Sequence, residues 1–277
     1  MAPGAPGGPR IEFRDVTKRF GQARRAGTAN GVANGVVVAV EHVSLRVRDG
    51  EVVSLIGPSG CGKSTLLNMG SGLTQPSAGQ VYVDGDLVDR PNRHVAFMLQ
   101  KDLLLPWRTI RENVEVGLEI RRVARPARRA RALDLLARCH LGRFADHYPH
   151  QLSGGMRQRA ALARTLAVDP TVLLLDEPFS ALDAQTKMVL QQDLAETLAE
   201  TARTAIFITH DLAESVALSD RILVMSKRPG TIIEEIVVDL PDRPNSMVRR
   251  RRKEIADYVA RLMSLLLIGD HAAEAEI

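Results

Sequence analysis

The run "GPSGCGKST", residues 57 to 65, sets two glycines ahead of a lysine and a serine in the order G-x-x-x-x-G-K-[ST]. Gly57 and Gly62 let backbone amides approach phosphate oxygens, and Lys63 brings positive charge to β and γ groups. The Ser64 hydroxyl suits Mg2+. Further along, "VLLLDEP" carries Asp176 out on an apolar run, where a carboxylate can hold the same Mg2+ from the other side. Glu177 follows it and is free to act as a general base or to position water. Gln100 and His210 close two more apolar runs; His210 suits a donor to the γ-phosphate, and Gln100 suits a reporter of nucleotide state. A second anion-binding helix start stands at "QLSGGMRQR", where Ser153, Gly154 and Gly155 precede Arg157 and Arg159. The chain thus carries one complete nucleotide site and the beginning of another.

These residues need elements to hold them. "EVVSLIG", "HVAFMLQ", "TVLLLDEP", "TAIFITH" and "RILVM" are apolar runs separated by helical patterns, the mark of a parallel sheet covered on both faces. Ligands of such sheets gather at the carboxyl ends of the strands, where all the polar residues above stand. Ahead of the glycine loop, "IEFRDVTKRFG" and "VVVAVEHVSLRV" alternate with period two and predict an N-terminal antiparallel β subdomain. Between them residues 22–35 are rich in glycine and predict a hairpin insert. Residues from about 103 to 166 lack strand-like runs and predict an inserted helical subdomain. The expected organisation is a flexible tail at 1–9, a main domain at 10–245 and a C-terminal amphipathic helix at 246–277. That helix should present Ile255, Val259, Leu262 and Leu266 on one face.

Composition narrows the function classes. Of 277 residues 45% are apolar, enough for a real core, and the net charge is +4. Basic residues cluster at 121–131 and from Arg249 to Lys253; these read as solvated helix faces, with nucleic acid or an anionic membrane surface as the sharper alternatives. An aromatic content of 4% argues against nucleic acid, whose single strands are bound by stacking. Cys61 and Cys139 stand in unrelated contexts and imply no disulfide framework. The start lacks the apolar stretch of a signal peptide, and no greasy segment reaches the ~20 residues of a bilayer span. The expectation is a soluble, cytosolic chain to which any membrane span is supplied by another protein.

"GPSGCGKST", Gln100, "LSGGMRQR", "VLLLDEP", "SALD" and His210 in "ITHD" stand in the order found in ATP-binding cassette proteins, and over residues 10–240 the chain resembles an ABC transporter ATPase subunit. The resemblance implies an α/β fold of the P-loop NTPase type with ATP and Mg2+ as ligands. It implies nucleotide contacts from Gly57, Pro58, Ser59, Gly60, Cys61, Gly62, Lys63, Ser64 and Thr65, with adenine stacked on Phe20. Ser64, Gln100 and Asp176 become the metal ligands, and Glu177, His210 and Gln100 the catalytic set. In this family two cassettes pair head to tail, so Ser153, Gly154, Gly155 and Asp183 would meet ATP bound to a second cassette, expected to be an identical chain. "LLPWRTIRENV", "SKRPGTI" and the C-terminal helix resemble the cassettes of nitrate, sulfonate and taurine importers. That branch implies permease subunits in the membrane, a solute-binding protein, and a peripheral position on the cytoplasmic face. Trp107 has two readings, a docking residue for the permease or a core tryptophan. Cys61 would offer thiol reagents a target in the loop. An exporter or lipid-trafficking cassette, and a soluble cassette ATPase acting on nucleic acid, are the other classes that share the motor.

Overall fold

The computed structural model describes residues 8–21 and 36–271, so the expected insert at 22–35 and most of the tail lie outside the described residues. The core is a six-stranded sheet. Five of its strands run parallel in the spatial order β9 (Arg221–Met225), β3 (Val52–Ile56), β8 (Thr204–Ile208), β7 (Val172–Asp176) and β6 (Val95–Met98). Every residue of β3, β7 and β8 is buried, which is why their sequences read as mostly apolar runs. One face packs α5 (Ala184–Glu200) and part of α4 (Gly154–Ala167) through Leu162, Leu190 and Leu194. The other packs α1 (Lys63–Gly70) through Leu66, Leu67 and Met69.

Beyond α1 lies a second, antiparallel sheet ordered β2 (Val37–Val47), β1 (Ile11–Phe20), β4 (Ala78–Val83) and β5 (Asp86–Leu87). The first two strands are the expected pair; β4 and β5 are an addition. Their signal was present in "VDGD": Asp84 and Gly85 both have positive φ, 55° and 83°, as a two-residue hairpin turn requires.

The helical block contains α2 (Ile110–Ile120), α3 (Arg125–Arg138) and α4 around Ile110, Val114, Leu136 and Leu141. α4 belongs to two cores at once. Ala160, Ala163 and Ala167 face the helices, while Ala161, Leu162 and Leu166 face the parallel sheet. Small residues allow this close two-sided approach, so the block is fused to the sheet.

The C-terminal region departs from expectation. An antiparallel edge strand, β10 (Ile232–Val237), joins β9, and two helices, α7 (Ser246–Arg250) and α8 (Glu254–His271), replace the single one. The expected face survives: Ile255, Val259, Leu262 and Leu266 pack with Val216, Ile222 and Ile236. Among the described residues no helix is long and apolar enough to cross a membrane.

The arginine clusters are not simply solvated faces. Arg121 and Arg131 donate to the carbonyls of Val168 and Ala167, capping the C-terminal end of α4. Arg128 pairs with the buried Glu115 at 3.1 Å, while Arg122, Arg125 and Arg129 remain exposed. Arg249 is 1% exposed. Its guanidinium donates to the carbonyls of Ser219 at 2.8 Å, Leu240 at 2.9 Å and Val238 at 3.2 Å, tying α7 to the sheet edge. Burial pushes its pKa down. Arg249→Met keeps most of the apolar stem but leaves those carbonyls unpaired. It should cost about 3 kcal/mol and lower Tm by roughly 6 °C or more. Arg129→Ala should stay within about 0.5 kcal/mol. Equal thermal melts for the two variants would contradict the anchoring role.

Candidate active site

Four neighbouring strands deliver the site in spatial order. β3 leads into the glycine loop, β8 toward His210, β7 to Asp176 and Glu177, and β6 toward Gln100. Gln100 and His210 do not themselves end strands; each lies two residues past its strand, on the loop above the sheet edge.

The loop wraps from Gly57 into α1, which begins at Lys63. Above it is a cleft of about 370 Å3 lined by Phe20, Val37, Ala39, Ser59, Gly60, Gly62, Lys63, Ser64, Thr65, Gln100, Glu177, Ile208 and Arg228. Lys63 Nζ donates to the carbonyls of Gly57 at 2.7 Å and Pro58 at 2.8 Å, so its charge sits over the loop. Cys61 is 1% exposed, beneath the loop and sheltered from reagents. Phe20 is 47% exposed at the cleft and is not a core aromatic. It pairs across the sheet with Val37, so the register of the aromatic holds on both sides of the insert.

Asp176 is 5% exposed at the end of β7. Burial pushes its carboxyl above the usual range, and a hydrogen bond from Ser64 works against that shift. A buried carboxylate beside a hydroxyl offers hard oxygen ligands, and a divalent cation would relieve the cost of the buried charge. Among the described residues no cluster of three or more His, Cys, Asp or Glu could hold a metal. That is compatible with Mg2+, which binds through one or two protein oxygens, substrate phosphate and water.

Glu177 adopts φ 49°, a left-handed conformation sparsely used outside glycine and costing about 1 kcal/mol or more. The surroundings hold it there. Its N–H donates to Ile208 O at 3.1 Å, and its carbonyl accepts from Gln158 Nε2 at 2.9 Å and Ser180 Oγ at 3.1 Å. The turn aims the side chain into the cleft, where Gln100 Nε2 donates to Glu177 Oε2 at 3.1 Å. His210 Nδ1 stands 3.7 Å from the same oxygen. Carboxylate, amide and imidazole thus converge at the edge of the cleft, a grouping able to orient a water against a phosphate.

The second expected anion site stands apart. Ser153, Gly154, Gly155 and Asp183 do not line the cleft. Ser153 caps α4, accepting from Met156 N at 3.3 Å, and Asp183 caps α5, accepting from Thr186 N at 2.9 Å. Backbone hydrogen bonding holds the exposed Asp183 carboxyl below the usual range. The two glycines differ. A Cβ on Gly155 would lie 3.1 Å from Leu182 and 3.2 Å from the Ala181 carbonyl, a tight fit that the glycine relieves. A Cβ on Gly154 would meet only an arginine tip at 4.0 Å, so its own chain makes no steric demand there. Arg157 and Arg159, expected to offer charge to an anion, are bound within the chain. Arg157 pairs with Asp102 at 3.1 Å, and Arg159 donates to Cys139 O at 3.2 Å.

Sequence reasoning missed several residues of the site. Val37 and Ala39 reach the cleft only through strand pairing, which no local pattern announces. Arg228, in "SKRPGTI", donates to Gly60 O at 2.8 Å, and Gly230 lets that segment cross the loop, since a Cβ there would overlap Cys61 O. Gln158, inside the signature "LSGGMRQR" at the start of α4, is the buried strut beneath Glu177.

The family model for the ABC transporter matches residues 40–180. An uncharacterized ABC transporter ATP-binding protein of Methanocaldococcus jannaschii is 42% identical over 230 residues, spanning 83% of this chain and 85% of that one. The taurine import ATP-binding protein of Yersinia pestis is 43% identical over 205 residues, spanning 74% and 80%. Among solved structures, a dimeric ATP-binding cassette in a post-hydrolysis state, bound to ADP and Pi, superposes with a TM-score of 0.74. It is 33% identical and covers 83% of this chain and 99% of that one. This kinship, with a glycine loop sharing one cleft with Glu177 and Gln100, makes the chain a member of the ABC transporter family, an ATP-binding cassette with ATPase activity coupled to transport.

Proposed function

We propose that this cassette is the motor of an importer for a small anion or organic solute of the nitrate, sulfonate or taurine type, working through separate permease subunits. The observation that carries the reading is an apolar step beside the nucleotide switch. Just past Gln100, Leu103 is 55% exposed and Trp107 is 71% exposed, so the tryptophan is no part of the core. Large apolar side chains left in water beside a ligand-sensing loop suit a docking partner. The taurine import protein among the relatives supports the importer branch. A solute-binding protein and a peripheral place on the cytoplasmic face belong to the same reading.

Within the site, the glycine loop from Gly57 to Thr65 takes the phosphates of ATP, Lys63 neutralises the β and γ groups, and adenine stacks on Phe20. Ser64, Asp176 and Gln100 would hold Mg2+, which offsets the charge that gathers on the phosphates. Glu177 orients or deprotonates the attacking water, and His210 donates toward the γ-phosphate. Two copies pair head to tail. Ser153, Gly154, Gly155 and Asp183 of one then face the ATP held by the other, which accounts for a Gly154 that its own chain does not require.

Glu177→Gln keeps size and hydrogen bonding but removes the basic carboxylate. Hydrolysis should fall about 100-fold or more while ATP persists between paired chains. Size exclusion with ATP and Mg2+ should then show a dimer. Adding Ser153→Arg puts a cation where the partner's γ-phosphate must fit, so the double variant should bind ATP yet remain monomeric. Equal dimerisation of the two variants would remove the signature from the neighbour's site.

Trp107→Ala should leave basal ATP hydrolysis of the isolated cassette within about twofold, since the side chain is far exposed and packs against little. In membranes containing the permease it should abolish stimulation by solute. Wild-type transport by Trp107→Ala would place the docking surface elsewhere.

A further inference from the structure

α4 is clamped by both loops that converge on the cleft. On one side Gln158, 4% exposed, lies one turn into the helix. Its Nε2 donates to Glu177 O at 2.9 Å and to Ser180 Oγ at 3.3 Å, and its Oε1 accepts from Ala181 N at 2.9 Å. On the other side Arg157 pairs with the Asp102 carboxylate at 3.1 Å. Arg164 donates to the carbonyls of Asp102 at 2.6 Å and Leu103 at 2.8 Å, on the loop that follows Gln100. One helix therefore fixes the backbone beneath Glu177 and the backbone behind Gln100, the two residues that meet at 3.1 Å. Its first turn is different: Ser153 and Gly154 are exposed and hold nothing of their own cleft.

A helix packed on both faces moves as a rigid body, and a displacement at its tip reaches whatever its buried side chains hold. We propose that Gln158 is a positioning residue that couples the two ATP sites of the paired cassette, carrying the seating of the signature on the partner's nucleotide to the Glu177 backbone of its own site. The inference rests on the paired-site reading above. Glu177 is well placed to respond, because its left-handed φ is maintained by hydrogen bonds to which Gln158 contributes. Release of the Gln158 bonds lets residues 177–181 relax toward ordinary backbone, taking the carboxylate off the line of attack. A full set of bonds on both amide atoms also keeps the side chain in one rotamer, as a coupling element must be.

The test uses the purified full chain with ATP and Mg2+, comparing wild type, Gln158→Ala and the nearly isosteric Gln158→Met. Hydrolysis is followed against ATP concentration, and ATP binding to the dilute monomer is measured in parallel. Wild type should show a Hill coefficient approaching about 2, the number of sites. Both variants should drop to about 1 with kcat down about tenfold or more, while monomer affinity stays within about twofold. A role confined to folding would instead lower monomer affinity and kcat together, and that pattern in Gln158→Met overturns the proposal even where Gln158→Ala fails to fold. A wild-type Hill coefficient of about 1 overturns the paired-site reading and the coupling with it. A cooperative wild type whose cooperativity survives in both variants overturns the coupling alone.

Discussion

A parallel sheet buried on both faces can present polar groups only where its strands stop, and this molecule is arranged around that constraint. β3, β7 and β8 contain no exposed residue, so the glycine loop, Asp176, Glu177 and His210 gather at one edge. Strand order then decides who meets whom. With β7 between β8 and β6, Glu177 rises between His210 and Gln100, and one carboxylate oxygen lies within reach of both. Asp176, one residue earlier, is still in the sheet. It is therefore buried against Ser64 and has its carboxyl pushed up, while Glu177 faces the cleft. Adjacent carboxylates acquire different chemistry from a single step along the backbone.

That step is strained, and the helical side of the molecule sustains it. The left-handed Glu177 is held by Ile208 from the neighbouring strand and by Gln158 and Ser180 from beyond it. α4 can supply Gln158 because its alanines allow it to lie against sheet and helices together. Gly155 permits the same intimacy at the helix start, where any side chain would press on Ala181 and Leu182. The glycines of this signature thus serve two ends. One eases close packing within the fold, and its neighbour leaves surface free.

The cleft above the glycine loop is assembled from parts that are distant in sequence. Its floor is the loop after β3, one wall is the antiparallel sheet with Phe20 opposite Val37, and the far rim is Arg228 reaching Gly60. The C-terminal helices stabilise the remaining edge through the buried Arg249, whose guanidinium satisfies carbonyls that would otherwise end in apolar surroundings.

By itself the sequence determined the parallel core, the glycine loop, the identity of Asp176 and Glu177, and the existence of a second anion-type helix start. These are local matters: apolar runs, turn glycines and polar residues at fixed offsets carry their own physical reasons. The hairpin of β4 and β5 was legible in Asp84-Gly85, whereas β10 hid in "IIEEIV", whose apolar and acidic residues come in pairs and do not alternate. Only the tertiary structure decided that Gln158 props Glu177, that Arg157 and Arg159 serve their own chain, that Arg249 is buried, and that Trp107 is exposed. Each of these depends on which surfaces meet across long stretches of chain. An arginine on a helix looks the same in sequence whether its guanidinium faces water or a row of unpaired carbonyls, and packing alone separates the two.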